Sequence, residues 1–593
     1  MDIISQVKKI TQEAIEELYQ QKIEATAIQV NETKPEFEGD YTVVLFSFVK
    51  ILKKSPEILG NELGEYFVKK YPSVFNTHNI IKGFLNLTIT DSYWINFLQQ
   101  NFSDNNFGKK QKNDHRVMVE YSSPNTNKPL HMGHLRNNFL GWSVAEIYKA
   151  SGYDVVKTCI ANDRGIHICK SMVAWLQFAN GATPESTGMK GDHFVGDYYV
   201  KFGDEYKKQI EELVATGMSK EEAEKEAPIM KAAQQMLVDW EAGKPDVIAL
   251  WKKMNSWVYK GFDETYKRIG SDFDKIYYES DTYILGKNLV AEGLKKGIFF
   301  QKDDGSVWID LTAEGLDQKI VQRKDGTAVY ITQDIGLAVN KYEEYKNELS
   351  IYVVGDEQNY HFKVLKLICQ KMGFPSADGI YHLSYGMVEL PTGRMKTREG
   401  TVVDADDLVD EMVAIAKQHT EELGKVKDFT EDELKELYDT IGLGALKFYL
   451  VRVDPKKRMI FNPEESIDFH GFTGPFIQYT HARIRSILRK ENIGENNAAI
   501  SYSPLLKLEK EVVRELEKYA AAIAQACEEM NPSVIANYAF GVAKIFNSFY
   551  TEHSIANAET AEKKQFRLQL ATLTAIVIRS AMELLGIKVP ERM

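Results

Sequence analysis

The spacing of apolar residues divides the chain into three stretches with different rhythms. Residues 1–108 open with helical spacing in MDIISQVKKITQEAIEEL and pass through TAIQVNET, which reads as a strand. FEGDYTVVLFSFVKILKKSPEILGNELGEYFVKKYP follows and reads as two helices broken before Pro56, with Ser55 as an N-cap and proline at the first helical position. IIKGFLNLTIT alternates as a strand, and the polar DNNFGKKQKND closes the stretch as a linker. Together these predict a small α+β module.

The middle stretch, 109–410, changes to apolar strands followed by helices. VMVEYSSPNTNKPLHMGHLRNNFLG, from Val117 to Gly141, predicts a buried strand, a loop stiffened by Pro124 and Pro129, and a helix whose first turn carries His131, Gly133 and His134. DVVKTCI is the next strand, and ANDRGIHI places Asn162 and Asp163 on the same rim as His131. That β-α-β order is the half-unit of a doubly wound parallel sheet. Near 180–255 helices interrupt the sheet pattern, with Gly217 stopping one and Ser219 and Glu222 capping the next; they read as an inserted spacer.

The sheet resumes with SVWIDL as a strand or hairpin arm, and TAVYITQDIGLAVNKYEEY runs from strand into helix. IYVVGDEQNYHFKVLKLICQKMG predicts a strand, a turn at Gly355–Asp356 and an amphipathic helix. YHLSYGMVEL then leads to a loop in which Gly393 and Gly400 bracket Arg394, Lys396 and Arg398. From 411 to 593 the rhythm is helical throughout and predicts an all-α bundle.

Composition narrows the classes. At 593 residues the chain exceeds one core and predicts two to four domains. With 44% hydrophobic and 27% charged residues, no apolar run of membrane-spanning length and no signal-peptide core, it is expected in the cytoplasm, away from membranes. A net charge of −12 argues against non-specific nucleic-acid binding by the whole surface but leaves room for a local basic track. The four cysteines form no C-x-x-C pair, so neither a zinc site nor a disulfide framework is indicated, and no protein-bound metal is expected.

The candidate chemistry centres on the strand-to-helix loop. Unpaired N–H groups and the positive end of a helix dipole converge there on an anion, Gly133 leaves backbone bare for a flat ligand, and Lys128 adds a charge. A histidine at a helix start is also a common cap, and a basic Gly-flanked loop a common solvated turn. Tyr479, His481, Arg483 and Arg485, which cluster on the helix FIQYTHARIRSILRK, are read either as core aromatics with surface charges or as an RNA contact.

The surroundings of these residues decide more. N-x-x-K-P-L-H-x-G-H-L-R after a strand ending in Glu120 resembles the first signature of class I aminoacyl-tRNA synthetases, in the arginine-specific form. RMKTR resembles the second signature but departs from its common form: Arg394 stands at the first lysine, Lys396 at the serine and Thr397 at the second lysine. With the N-terminal module and a helical C-terminus ending in VPERM, the resemblance to arginyl-tRNA synthetases spans essentially the whole chain.

That resemblance implies a split Rossmann-like catalytic domain between an N-terminal module and a helical anticodon-binding domain. The expected enzyme is a monomer that activates L-arginine with ATP and Mg2+ and transfers it to the arginine tRNA. The amino-acid carboxylate is already ionised, so the work is positioning and charge neutralisation rather than base catalysis. Lys128, His131, His134, Lys396 and Arg398 are the implied catalytic residues, and Gly133, Gly355, Val388 and Arg394 join His131, His134 and Lys396 at ATP. Arginine falls to Glu120, Asn125, Asp163, Tyr330, Asp334 and Gln358, with Asp334 the choice for the guanidinium as a buried carboxylate. Phe84 and Asn86 would meet the tRNA D-loop, and Tyr479, Tyr550 and Met593 the anticodon. The alternatives are a class I synthetase for another amino acid, a nucleotidyltransferase sharing HxGH, and a non-catalytic tRNA-binding relative.

Overall fold

The apolar runs of the middle stretch pair into one five-stranded sheet, in spatial order Ile380–Tyr385, Leu349–Gly355, Arg116–Glu120, Asp154–Ala161 and Lys275–Tyr278. Every pairing is parallel. In order of appearance the strands lie 5-4-1-2-3, so the order reverses between Arg116–Glu120 and Leu349–Gly355. The carboxyl ends of those two strands open a crevice there, where ligands bind in sheets of this kind. The computed structural model describes residues 2–389, 403–422, 424, 428–491 and 504–593. Arg394, Lys396 and Arg398 lie outside the described residues.

Helix Met132–Ala150 follows the first strand and is buried along most of its length. Its three successive polar residues Arg136, Asn137 and Asn138 are buried. Arg136 donates to the carbonyls of Gly386, Pro455 and Lys457. Asn137 bridges the two strands at the crevice, accepting from Ser122 N–H at 2.5 Å and donating to Val353 O at 2.7 Å. Helix Pro245–Ile269 begins within the predicted insertion and runs past its expected end near 255, and its Tyr266 hydroxyl lies 2.7 Å from Ser122 Oγ.

Three readings of local structure change. YTVV, expected in a helix, is the strand Tyr41–Val44, paired on both sides inside a four-stranded antiparallel sheet; the β-branched run Thr42-Val43-Val44 favours the pleat. IIKGFLNLTIT is the turn and second arm of a hairpin, Phe75–Ile81 and Phe84–Ile89, joined by Lys82 and Gly83 at φ 50° and 84°. Two successive positive φ values make the tight turn whose twist matches paired strands. The segment before Tyr330 is not a strand: Ala328 makes one isolated bridge to Gln322, and the helix begins at Tyr330.

The C-terminal stretch is a helical bundle, including Glu431–Val451, Gly474–Lys490, Pro532–Glu552 and Ala561–Leu584. The N-terminal module is seated on it, with Asp40 carboxylate 2.8 Å from Lys510 Nζ and Ile3 N–H donating to Glu517 Oε1 at 2.6 Å. Among the described residues no helix is long and apolar enough to cross a membrane.

Candidate active site

The crevice has two ends. At the first, the chain leaves Glu120 and turns through Ser122 and Ser123, both with positive φ (80° and 44°). Such backbone is costly for serine and persists only where neighbours hold it; here Asn137, Asn138 and Tyr266 hold Ser122. The turn ends at His131, the N-cap of the Met132–Ala150 helix. Its Nδ1 accepts from Gly133 N–H at 3.1 Å, while His134 Nδ1 accepts from His131 N–H at 3.1 Å. The two rings lie 3.9 Å apart.

This reciprocal cap settles the chemistry of both imidazoles. Because each Nδ1 is an acceptor, each proton resides on Nε2. Burial, with Lys128 adding to it and Asp404 opposing, lowers the His131 pKa to about 4; burial, with His131 and Lys128 adding to it, puts His134 well below its ordinary value. Both rings are therefore neutral Nε2–H donors near pH 7. Burial also lowers the Lys128 pKa. Helix N-terminus, two fixed donors and a lysine make a mouth suited to a polyphosphate.

At the second end lies a cavity of about 610 Å³. Helix Tyr330–Tyr345 lines it with Tyr330, Asp334, Leu337 and Lys341, an i, i+4, i+7, i+11 stripe on one face. Gln358 and His361 close another wall, and Glu120 and Asn125 border the turn towards the first end. So five of the six residues expected to take arginine converge here. Tyr330 is 73% exposed, a ring at the opening rather than in the floor. Asp334 is half-buried rather than buried, and its Oδ2 lies 2.6 Å from His361 Nε2. Glu120 is buried and its Oε2 is taken by the buried Lys341, which also lies over the rings of Tyr352 and Tyr277.

Asp163 does not reach the cavity. It is buried, and its carboxylate accepts from Ser280 N–H and Oγ–H and from Tyr259 O–H at 2.7–2.8 Å, tying the end of one strand to the end of the next. The carboxylate that does reach the cavity is Glu279, which the sequence reading did not include. Burial raises its pKa to about 7, with Arg164 opposing and Asp163 and Asp334 adding to the rise. Its position directly after an apolar strand, KIYYES, is the signal that could have found it. His361 and Lys341 were missed too, although both recur at helical spacing from residues that were chosen.

The remaining expected residues fall in varied places. Gly355 ends its strand at the crevice, paired with Tyr385. Val388 is buried and paired with Met459, and its side chain packs in the core. Phe84 is exposed at the hairpin tip, edge-on to Phe46. Asn86 is buried beneath it, its amide spent on Thr42 and Asn79, so it cannot read a base edge.

In the bundle, Arg483 stacks over Tyr479 at 4.8 Å and Tyr550 at 5.6 Å, while donating to Asn547. His481 and Arg485 point elsewhere: they bind Pro590 O and Glu591 and clamp the terminal residues to the helix. Met593, at the end of that clamped tail, is partly buried.

The chain is similar to known proteins along nearly its whole length. The family model for class I tRNA synthetases (R), catalytic domain, matches residues 97–462. The model of the arginyl tRNA synthetase N terminal domain matches residues 5–89, and that of the DALR anticodon binding domain residues 477–593. An arginine–tRNA ligase of Bacteroides thetaiotaomicron is 53% identical over 583 residues, covering 97% of each chain. Another from Flavobacterium psychrophilum is 54% identical over 593 residues, covering 98% of each. The solved Thermus thermophilus arginyl-tRNA synthetase superposes with a TM-score of 0.78 over 100% of both chains at 23% identity.

Proposed function

The chain belongs to the arginyl-tRNA synthetase family, and from that premise we propose a division of labour within its crevice. The enzyme is an arginine–tRNA ligase: it activates arginine with ATP and transfers it to tRNA. The observation that carries the residue assignment is the pairing of a carboxylate-lined cavity with a neutral, anion-directed helix mouth across one topological switch point.

In this reading the arginine guanidinium lies between Asp334 and Glu279, with Tyr330 covering it, because planar cations are best held by carboxylates and a ring. Asp334 exchanges its His361 partner for the substrate. Asn125, Gln358 and the Glu120–Lys341 pair bind around the α-amino end, which places the arginine carboxylate towards the mouth. There the carboxylate oxygen bonds to the α-phosphorus of magnesium–ATP and the bond to pyrophosphate breaks. His131 and His134 donate Nε2–H groups to phosphate oxygens, Lys128 supplies charge, and Lys396 and Arg398 assist it on the strength of their sequence motif. The tRNA terminal ribose hydroxyl then attacks the adenylate carbonyl and AMP leaves.

Recognition of tRNA is assigned to Phe84 at one end of the molecule and to Tyr479, Tyr550 and the Met593 tail at the other. Divisions near residues 108 and 410, a monomeric state and a cytoplasmic location belong to the same proposal. ATP–pyrophosphate exchange over the twenty amino acids, with and without tRNA, tests it. Exchange confined to arginine, and dependent on tRNA, is expected. Exchange with a neutral amino acid, or none with arginine plus tRNA, would overturn it.

A further inference from the structure

The helices inserted after 180 read from the sequence as spacers, but the first turns of Gly191–Ala215 pack against the phosphate mouth. A β-carbon added at Gly196 would lie 2.8 Å from Pro129 Cδ and 3.6 Å from Lys128 Cα, so the helix backbone abuts the loop directly. One turn earlier, His193 Nε2 lies 3.3 Å from both Asp404 Oδ2 and Asp406 Oδ2. Lys190 Nζ is 2.6 Å from Asp406 Oδ2, 3.1 Å from Asp192 Oδ2 and 2.5 Å from Thr265 Oγ1.

The residues these cations hold are attached to the mouth. Met132 N–H donates to Val403 O at 3.1 Å and Ala405 N–H to Leu130 O at 3.0 Å, an antiparallel bridge between His131 and Asp404. Asp404 also caps the Ala405–Glu422 helix through Asp406 N–H and Asp407 N–H. Asp192, His193 and Asp406 are spaced as metal-binding groups are, but the Lys190 ammonium already takes the place of a cation among them.

The electrostatic balance is the reason to look further. Three carboxylates, Asp192, Asp404 and Asp406, stand beside a mouth built for a polyanion, with Asp197 one turn along. Left bare, Asp404 and Asp406 would repel phosphate across a partly dehydrated gap. The carboxylates of Asp404 and Asp406, each 3.3 Å from its Nε2, raise the His193 pKa to about 10, so it is charged throughout the neutral range.

We propose that Lys190 and His193 are positioning residues for ATP, which hold the Asp404 segment in register with His131 and cancel the charge that Asp404 and Asp406 would otherwise present to the triphosphate. The proposal rests on reading the mouth as the ATP end. Exchange by His134→Ala with arginine and tRNA tests that reading by itself; unchanged turnover there would fail the reading and not this refinement of it.

The refinement is tested by His193→Gln in the full-length enzyme. KM for ATP should rise about tenfold while KM for arginine stays within about twofold. Adding Asp404→Asn, which preserves the helix cap, should recover at least about half of that loss, because it removes the uncompensated charge. A purely structural role would make the double variant worse than the single. If His193→Gln loses its cooperative melting transition, Lys190→Gln with and without Asp406→Asn makes the same comparison. Unchanged KM for ATP, equal rises in both KM values, or no recovery in the double variant would overturn the proposal.

Discussion

The two ends of the crevice recognise charge by opposite means. At the arginine end, half-buried carboxylates from separate elements, Asp334 on a helix and Glu279 after a strand, converge on a cavity and present negative charge. At the phosphate end, the two histidines are neutral and their orientation is fixed by backbone hydrogen bonds two and three residues apart in sequence. A guanidinium is permanently charged, so selecting it from neutral amino acids calls for countercharge. A phosphorus centre whose charge is redistributed during reaction calls instead for donors already in place. At the first end a countercharge carries selection; at the second, donors held in place carry it beside the Lys128 charge.

The sharpest way to break this contrast is Asp334→Asn. It should lower kcat/KM for arginine about a thousandfold and leave KM for ATP within twofold, measured by exchange. An equal loss in both KM values would erase the distinction between the ends. His134→Ala should come next, lowering kcat about a hundredfold with little change in KM for arginine, because it removes a fixed donor rather than a binding charge.

Glu279 sharpens the arginine side through pH. Burial raises its carboxyl to about 7, so much of it is protonated at pH 6 and most is ionised at pH 8. The substrate cation favours the ionised form, so KM for arginine should fall as pH rises across that window, by up to about tenfold. Glu279→Gln should flatten the profile; a slope that survives would assign the titration to another group. The smallest effect is expected far from the crevice, where Phe84→Ala should raise KM for tRNA about threefold. Asn86→Ala should instead cost about 1–2 kcal/mol of stability, seen in denaturant melts, and leave KM for tRNA unchanged.

The contrast also explains what could be read in advance. The phosphate mouth is local: strand, loop and helix start lie within Val117–Gly141, so spacing alone brings Lys128, His131 and His134 together. Asp334 and Tyr330 were legible because they share a helix face with a recognisable motif. Glu279 was legible only in part: its place after the apolar strand in KIYYES puts it at a strand end, but nothing there reveals that the strand pairs beside Asp154–Ala161 and aims the next residue at Asp334. Asp163 shows the reverse error: sitting on the right rim does not fix direction, and Ser280 and Tyr259 turn its carboxylate inward. Asn86 shares a strand face with Phe84, but its cross-strand neighbours Thr42 and Asn79 cover it and occupy its amide, which pairing alone reveals. The insertion, read as ending near 255, gave no hint that its last helix continues to Ile269 and carries Tyr266, whose hydroxyl braces Ser122 from more than a hundred residues away in sequence.

The central claim is that the phosphate end works with neutral histidines. It is tested most directly by NMR of ring-labelled histidine, with His131 and His134 assigned by substitution and titrated from pH 5 to 8. Both should remain neutral Nε2–H tautomers down to pH 5, as a His131 pKa of about 4 requires. Titration of either ring between pH 6 and 7 would contradict the account.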